Sequence, residues 1–153
     1  MTDMSDLKDR LRTDLTAAIK GREEVRSSTL RMVLTAITNA EVAGKEAREL
    51  TDDDVLGVLR REAKKRREAA EAFGSAGRAE QAARELAEGE VLADYLPAQL
   101  ADADLAAIVA DAVTTTGAAG MKDMGKVMGA VQGVVAGRAD GGRVAAEVRR
   151  QLA

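Results

Sequence analysis

Apolar residues recur at three- and four-residue spacing along most of this chain, the period of a helix buried on one side. Residues 5–20 make a first helix, with Leu7, Leu11, Leu15, Ala18 and Ile19 inward, Ser5 or Asp3 as cap and Gly21 as stop. Residues 23–42 make a second, with Val25, Leu30, Val33, Leu34 and Ile37 inward and Gly44 after its end. Thr51, with Asp54 three residues on, has the form of a capping box, and Asp52 and Asp53 suit a helix start. A third helix follows to residue 73 on Val55, Leu59, Ala63 and Ala70, and the glycines at 74 and 77 make a turn. A fourth runs over 79–95 and carries Ala82, Leu86 and Leu92. Leu96-Pro97 then breaks the pattern, because a residue before proline is pushed out of the helical region. Three shorter helices are expected beyond it, over 102–115, 121–135 and 142–152. The expectation is an all-α protein, with a four-helix N-terminal bundle over residues 1–96 and a smaller three-helix domain over 97–153.

The 121–135 segment departs from an ordinary amphipathic helix. At about 100° per residue, Met121, Met124, Met128, Val131 and Val135 gather on one side. Gly125, Gly129 and Gly133 recur every four residues on the flank beside that stripe, together with Lys122 and Lys126. A glycine in a helix interior costs roughly 1 kcal/mol relative to alanine. Three in register call for close approach of something, either another helix or an anionic backbone. Small residues admit a phosphate to the main chain, and lysines supply point charges. A second basic stretch, Arg60 to Arg67, reads RREAKKRR, with Arg60, Lys64 and Arg67 along one stripe. It is either a solvated face balanced by Glu62, Glu68 and Glu71 or a phosphate-contacting patch.

Composition removes several chemistries. The chain has no Cys and no His, so thiol nucleophiles, disulfides, nearly all zinc chemistry and the usual neutral-pH general base are excluded. No catalytic residues, metal site or cofactor are expected from the motifs present, and no phosphate-binding GxxxxGK[ST] loop occurs. Glu90, near the proline break, reads as a buried salt-bridge partner rather than a catalytic residue. The net charge of −3 argues against bulk nucleic-acid binding, so any such contact needs a local basic face, and DNA is not an expected partner. Phe73 and Tyr95 are the two aromatic residues, too few for a base-stacking platform, which leaves a folded RNA read by shape and phosphates. No apolar run reaches the ~20 residues of a membrane span, and the N-terminus lacks a signal-peptide pattern, so a cytoplasmic protein without a membrane partner is expected.

GEVLADYLPAQL (89–100), GAAGMKDMGKVMGAVQGVVAGRADGGRV (117–144) and TLRM (29–32) together give a family likeness. Nearly the whole chain resembles a stand-alone YqeY protein, similar to the C-terminal tail domain of the GatB subunit of tRNA-dependent amidotransferases. The likeness implies helical domains, and the label of carbon–nitrogen ligase activity with glutamine as amido donor. In the large amidotransferase the tail helps hold tRNA while the chemistry sits in other domains. The positions that carry over are residues 121–129, with Gly137, Arg138, Asp140 and Gly141. No nucleophile with an activating partner accompanies them here. The expected function is therefore a tRNA-associated binding module linked to amide transfer, with Lys122, Lys126 and Arg138 on phosphates, Gly125, Gly129 and Gly133 permitting the approach, and Arg60, Lys64 and Arg67 as a second face. The rivals are an accessory subunit of an amidotransferase or aminoacyl-tRNA synthetase and a protein-interaction module.

Overall fold

The computed structural model describes residues 6–153, and these are helices and turns without a strand. They form two compact units, the first ending at Leu96 and the second running from Pro97 to Ala153. The expected cap at Ser5 or Asp3 lies outside the described residues.

The first unit holds α1 (Asp6–Lys20), α2 (Glu24–Val42), α3 (Asp52–Ser75) and α4 (Ala79–Ala93). Short links pair α1 with α2 and α3 with α4 as helical hairpins. Leu11, Leu30, Val33, Ile37, Val55, Leu59 and Leu92 are wholly buried in their common core. Each such side chain contributes roughly 1.5–3 kcal/mol by leaving water. The Thr51 capping box forms: the Asp54 N–H donates to Thr51 Oγ1 (3.2 Å) and the Thr51 N–H to Asp54 Oδ2 (3.1 Å). Arg48 also donates to that carboxylate at 3.0 Å. Thr51→Ala is expected to cost about 1 kcal/mol in a urea melt.

α3 closes in a Schellman turn, with Gly77 left-handed (φ 75°) and the Arg78 N–H on the Phe73 carbonyl at 2.8 Å. α1 closes the same way, with the Glu23 N–H on the Ala18 carbonyl at 3.0 Å, but here the left-handed residue is Arg22 (φ 56°). Gly21, the expected stop, sits one position before it.

Two expected core residues are at the surface: Ile19 is 47% and Leu86 58% exposed. On α4 the inward direction is fixed by Leu92. At 3.6 residues per turn Leu86 lies about 120° around from it, whereas Glu85 and Glu88 lie within about 40°. The inner face of α4 therefore carries carboxylates, while Glu80 and Glu90 are exposed, so Glu90 is not the buried salt-bridge partner expected. Conversely Lys8 is buried, because its ammonium meets both Glu41 oxygens at 2.9 and 2.8 Å. That bond holds the Glu41 carboxyl below its usual range, against the opposing effect of burial.

The second unit holds α5 (Asp102–Thr116), a 3-10 turn (Met121–Asp123), α6 (Met124–Val135) and α7 (Gly141–Leu152). Its core is mostly valine: Val109, Val127, Val131, Val135, Val144 and Val148 are wholly buried, with Leu105 and Leu152 nearly so. Gly117 (φ 69°) ends α5, and Asp140 caps α7 through the Gly142 N–H. Residues 97–101 are tied to this unit. The Leu100 N–H donates to the Arg138 carbonyl (2.8 Å), and Arg143 donates to the Leu100 carbonyl and to Asp102 (2.9 Å each).

Candidate nucleic-acid interface

The apolar stripe of the 121–135 segment differs from the sequence expectation in one respect. Residues 121–123 wind as a 3-10 turn, so Met121 is out of register with α6 and is 48% exposed. Val127 takes its place, and the buried line is Val127, Val131 and Val135 with Met124 and Met128 half-buried beside it. This shift moves the stripe's centre to about 145° from the glycines. Gly125, Gly129 and Gly133 thus occupy the solvent side of α6 rather than a flank. All three are exposed, and a Cβ added at any of them would meet nothing within 4 Å.

Lys126 projects on the glycine side of α6, and Lys122 stands in the 3-10 turn that leads into it. Both are exposed, and neither makes a hydrogen bond or close ion pair among the described residues. Asp123 lies between them in sequence. Its carboxylate accepts the Ala119 N–H at 2.8 Å, and that bond, with the nearby positive charges of Lys126 and Lys122, holds it below the usual carboxylate range. Asp123 is thus committed to the turn and offsets part of the positive field. The net result is a bare helical edge with a modest cationic surplus.

Arg138 sits at the other end of α6. Its Nε and Nη2 donate to the carbonyls of Val135 and Val134, both at 3.3 Å, so it caps the helix C-terminus. Positive charge is favourable there. The glycine edge and Lys126 lie on one helix, Lys122 stands in the turn that leads into it, and Arg138 is engaged with that helix's last turn.

Arg60, Lys64 and Arg67 belong to α3 of the first unit. Arg60 is half-buried, Lys64 reaches Glu68 at 3.9 Å and Arg67 is exposed. The RREAKKRR run is not a uniformly solvated face. Glu62 is buried at 7% exposure, and Arg66 turns inward from the middle of the run. The Arg66 guanidinium lies 3.1 Å from Glu62, 3.7 Å from Glu85 and 3.6 Å from Glu88, and it also contacts Met32 Sδ. Lys65 meets Glu62 at 3.1 Å from the outside, and Arg84 meets Glu88 at 3.5 Å. Burial, followed by the adjacent Glu88 charge, pushes the Glu85 carboxyl above its ordinary value. A carboxyl raised in the fold weakens the protein at neutral pH, and this penalty fades as pH falls from its folded value to its lower unfolded one. Glu85→Gln is accordingly expected to raise the thermal midpoint at pH 7, with the gain fading toward pH 4.5, read by calorimetry at both pH values.

Tyr95 belongs to no chemical motif of the sequence. Tyr95 is buried, donates to Asp14, accepts from Arg26 Nη2 at 3.3 Å and carries the Arg10 guanidinium 4.7 Å over its ring. Burial, then the bond to Asp14, pushes its hydroxyl up to about 12. It ties α1, α2 and the end of α4 together. A tyrosine with an aspartate directly before it and a proline two residues after was the available signal. Tyr95→Phe is expected to cost about 1 kcal/mol in urea, because Asp14 loses its short hydrogen bond and keeps only the longer pairs with Arg10 (3.9 Å) and Arg26 (4.0 Å).

The YqeY-like protein family model matches residues 8–152. The chain belongs to the YqeY family. A fission-yeast relative, the Schizosaccharomyces pombe "Uncharacterized protein C22F3.15", is 36% identical over 88 residues, 57% of this chain and 69% of the yeast protein. Among the described residues of this YqeY protein, no helix is long and apolar enough to cross a membrane.

Proposed function

We propose that this YqeY protein is an RNA-binding module, with tRNA as its ligand class, acting in tRNA-linked, glutamine-dependent amide transfer. The observation that carries the reading is the solvent-facing edge of α6. Gly125, Gly129 and Gly133 leave its backbone open, and Lys122 and Lys126 stand beside it without an ion pair within 4 Å, their field offset in part by Asp123. A phosphate chain can approach such an edge more closely than one covered by side chains, and each lysine then releases a condensed counter-ion. The likeness to the GatB tail domain supports tRNA over other RNA. No chemical step is assigned to the chain. Its part is to hold the nucleic acid, alone or beside an amidotransferase or aminoacyl-tRNA synthetase.

The test is an electrophoretic shift of pooled tRNA at low salt. Wild-type protein is expected to retard it, and Lys122→Glu with Lys126→Glu to retard it less, with the helical circular dichroism unchanged. Equal retardation by the variant would refute the assignment.

A second reading has one observation in its favour. Met121 and Val134 are large apolar side chains 48% and 55% exposed on this same segment, which suits docking of a protein helix. Binding that ignores salt would favour that partner, since phosphate contacts weaken steeply with salt.

A further inference from the structure

A cleft of about 440 Å³ lies where α1 hands over to α2, lined by Ile19, Arg22, Glu24, Ser27, Ser28 and Arg31. Its charges are unbalanced. The Arg22 and Arg31 side chains make no ion pair or hydrogen bond among the described residues, and neither does the Ser28 hydroxyl. Glu24, the cleft's carboxylate, is already gripped by Arg84 at 2.7 and 3.1 Å. Ser27 spends its hydroxyl proton on the Glu23 carbonyl at 2.7 Å. Two arginines and one serine thus line the cleft without an ion pair or hydrogen bond of their own among the described residues.

The backbone at this point is independently unusual. Arg22 occupies the left-handed position of the α1 terminator, at φ 56°, where glycine is the least strained residue. Gly21 stands directly before it. An arginine at that position gains nothing for the turn, so its side chain is what the position supplies.

We propose that this cleft binds a phosphate monoester. Guanidinium forks match the geometry and charge of a phosphate dianion, and a serine hydroxyl supplies a further donor. A carboxylate offers one charge and two oxygens to the same donors. Ile19, 47% exposed at the rim, gives the carbon side of an ester an apolar contact. The site lies in the first unit, shares no residue with α6 and does not depend on the RNA reading.

The experiment is a ¹⁵N–¹H titration of the full chain with inorganic phosphate, with glycerol 3-phosphate and with acetate, at fixed ionic strength. Both phosphates are expected to give saturable shifts confined to amides 19–31, with inorganic phosphate binding at on the order of 1 mM and the ester more tightly. Acetate is expected to give none. Arg22→Gly is expected to weaken phosphate binding about tenfold while raising the melting temperature by roughly 3 °C, because the turn relaxes. Arg31→Gln is expected to weaken binding similarly without the thermal gain. A 5′-phosphorylated dinucleotide that binds more tightly than glycerol 3-phosphate would place the ester on a nucleic acid end; the reverse order would place it on a small metabolite; either supports the site. Equal shifts with acetate, no saturable shift with phosphate, or unchanged binding in both variants would overturn it.

Discussion

Arg66→Ala is expected to destabilise the first unit by about 3–5 kcal/mol, the usual cost of removing one partner from a buried ion cluster. The guanidinium stands among Glu62, Glu85 and Glu88, whose side chains are 9%, 20% and 12% exposed. Without it three carboxylates face one another, and Lys65 and Arg84 reach Glu62 and Glu88 only from the outside. A loss of that size is a large share of the 5–15 kcal/mol typical of a domain. A urea melt followed at 222 nm would show it as a lower midpoint with an unchanged slope. Arg66→Met keeps the aliphatic stem and is expected to lose less. Arg66→Met combined with Glu85→Gln and Glu88→Gln is expected to recover most of the loss, because the cluster is then removed as a unit. A cost below 1 kcal/mol for Arg66→Ala would mean that water already solvates the cluster.

The second large effect runs in opposite directions for stability and binding. Gly129 lies in mid-helix on the exposed side of α6 with open space around it, so Gly129→Ala is expected to gain about 1 kcal/mol. Gly125 and Gly133 lie near the helix ends, where the gain is smaller, and the triple alanine variant is expected to gain about 2 kcal/mol in all. Gly129→Leu also fits the fold, since nothing lies within 4 Å of its Cβ, but it places a side chain on the proposed docking edge. It is expected to keep the thermal midpoint at or above wild type and to weaken tRNA binding about tenfold. A gain in both properties would leave the glycines without a role in contact.

Much of the fold was legible in the sequence because its helix ends carry explicit chemistry. Thr51 with Asp54, Gly77, Gly117 and Asp140 each mark a boundary, and the structure shows the hydrogen bonds that make them work. The sequence was silent where position is decided by pairing rather than by polarity. Lys8 and Arg66 are inside because Glu41, Glu62, Glu85 and Glu88 meet them there, and no periodicity of apolar residues announces that. Leu86 is outside because those carboxylates occupy the inner face of α4. On α6 the glycine spacing was plain from the sequence, but its direction was not. The 3-10 turn at Met121–Asp123 rotated the first methionine out of the stripe, and Val127 completed it. The cleft at Arg22 was hidden for a related reason: Gly21 drew attention as the stop, while the left-handed residue is its neighbour.

The proposed function requires that the open edge of α6 meet phosphates. The most direct measurement is the affinity for tRNA as a function of salt, by fluorescence anisotropy, for wild type and for Lys122→Glu with Lys126→Glu. Two lost phosphate contacts are expected to reduce the slope of log K against log salt by about 2, with weaker binding at every salt concentration. Identical slopes and affinities for the two proteins would contradict the account.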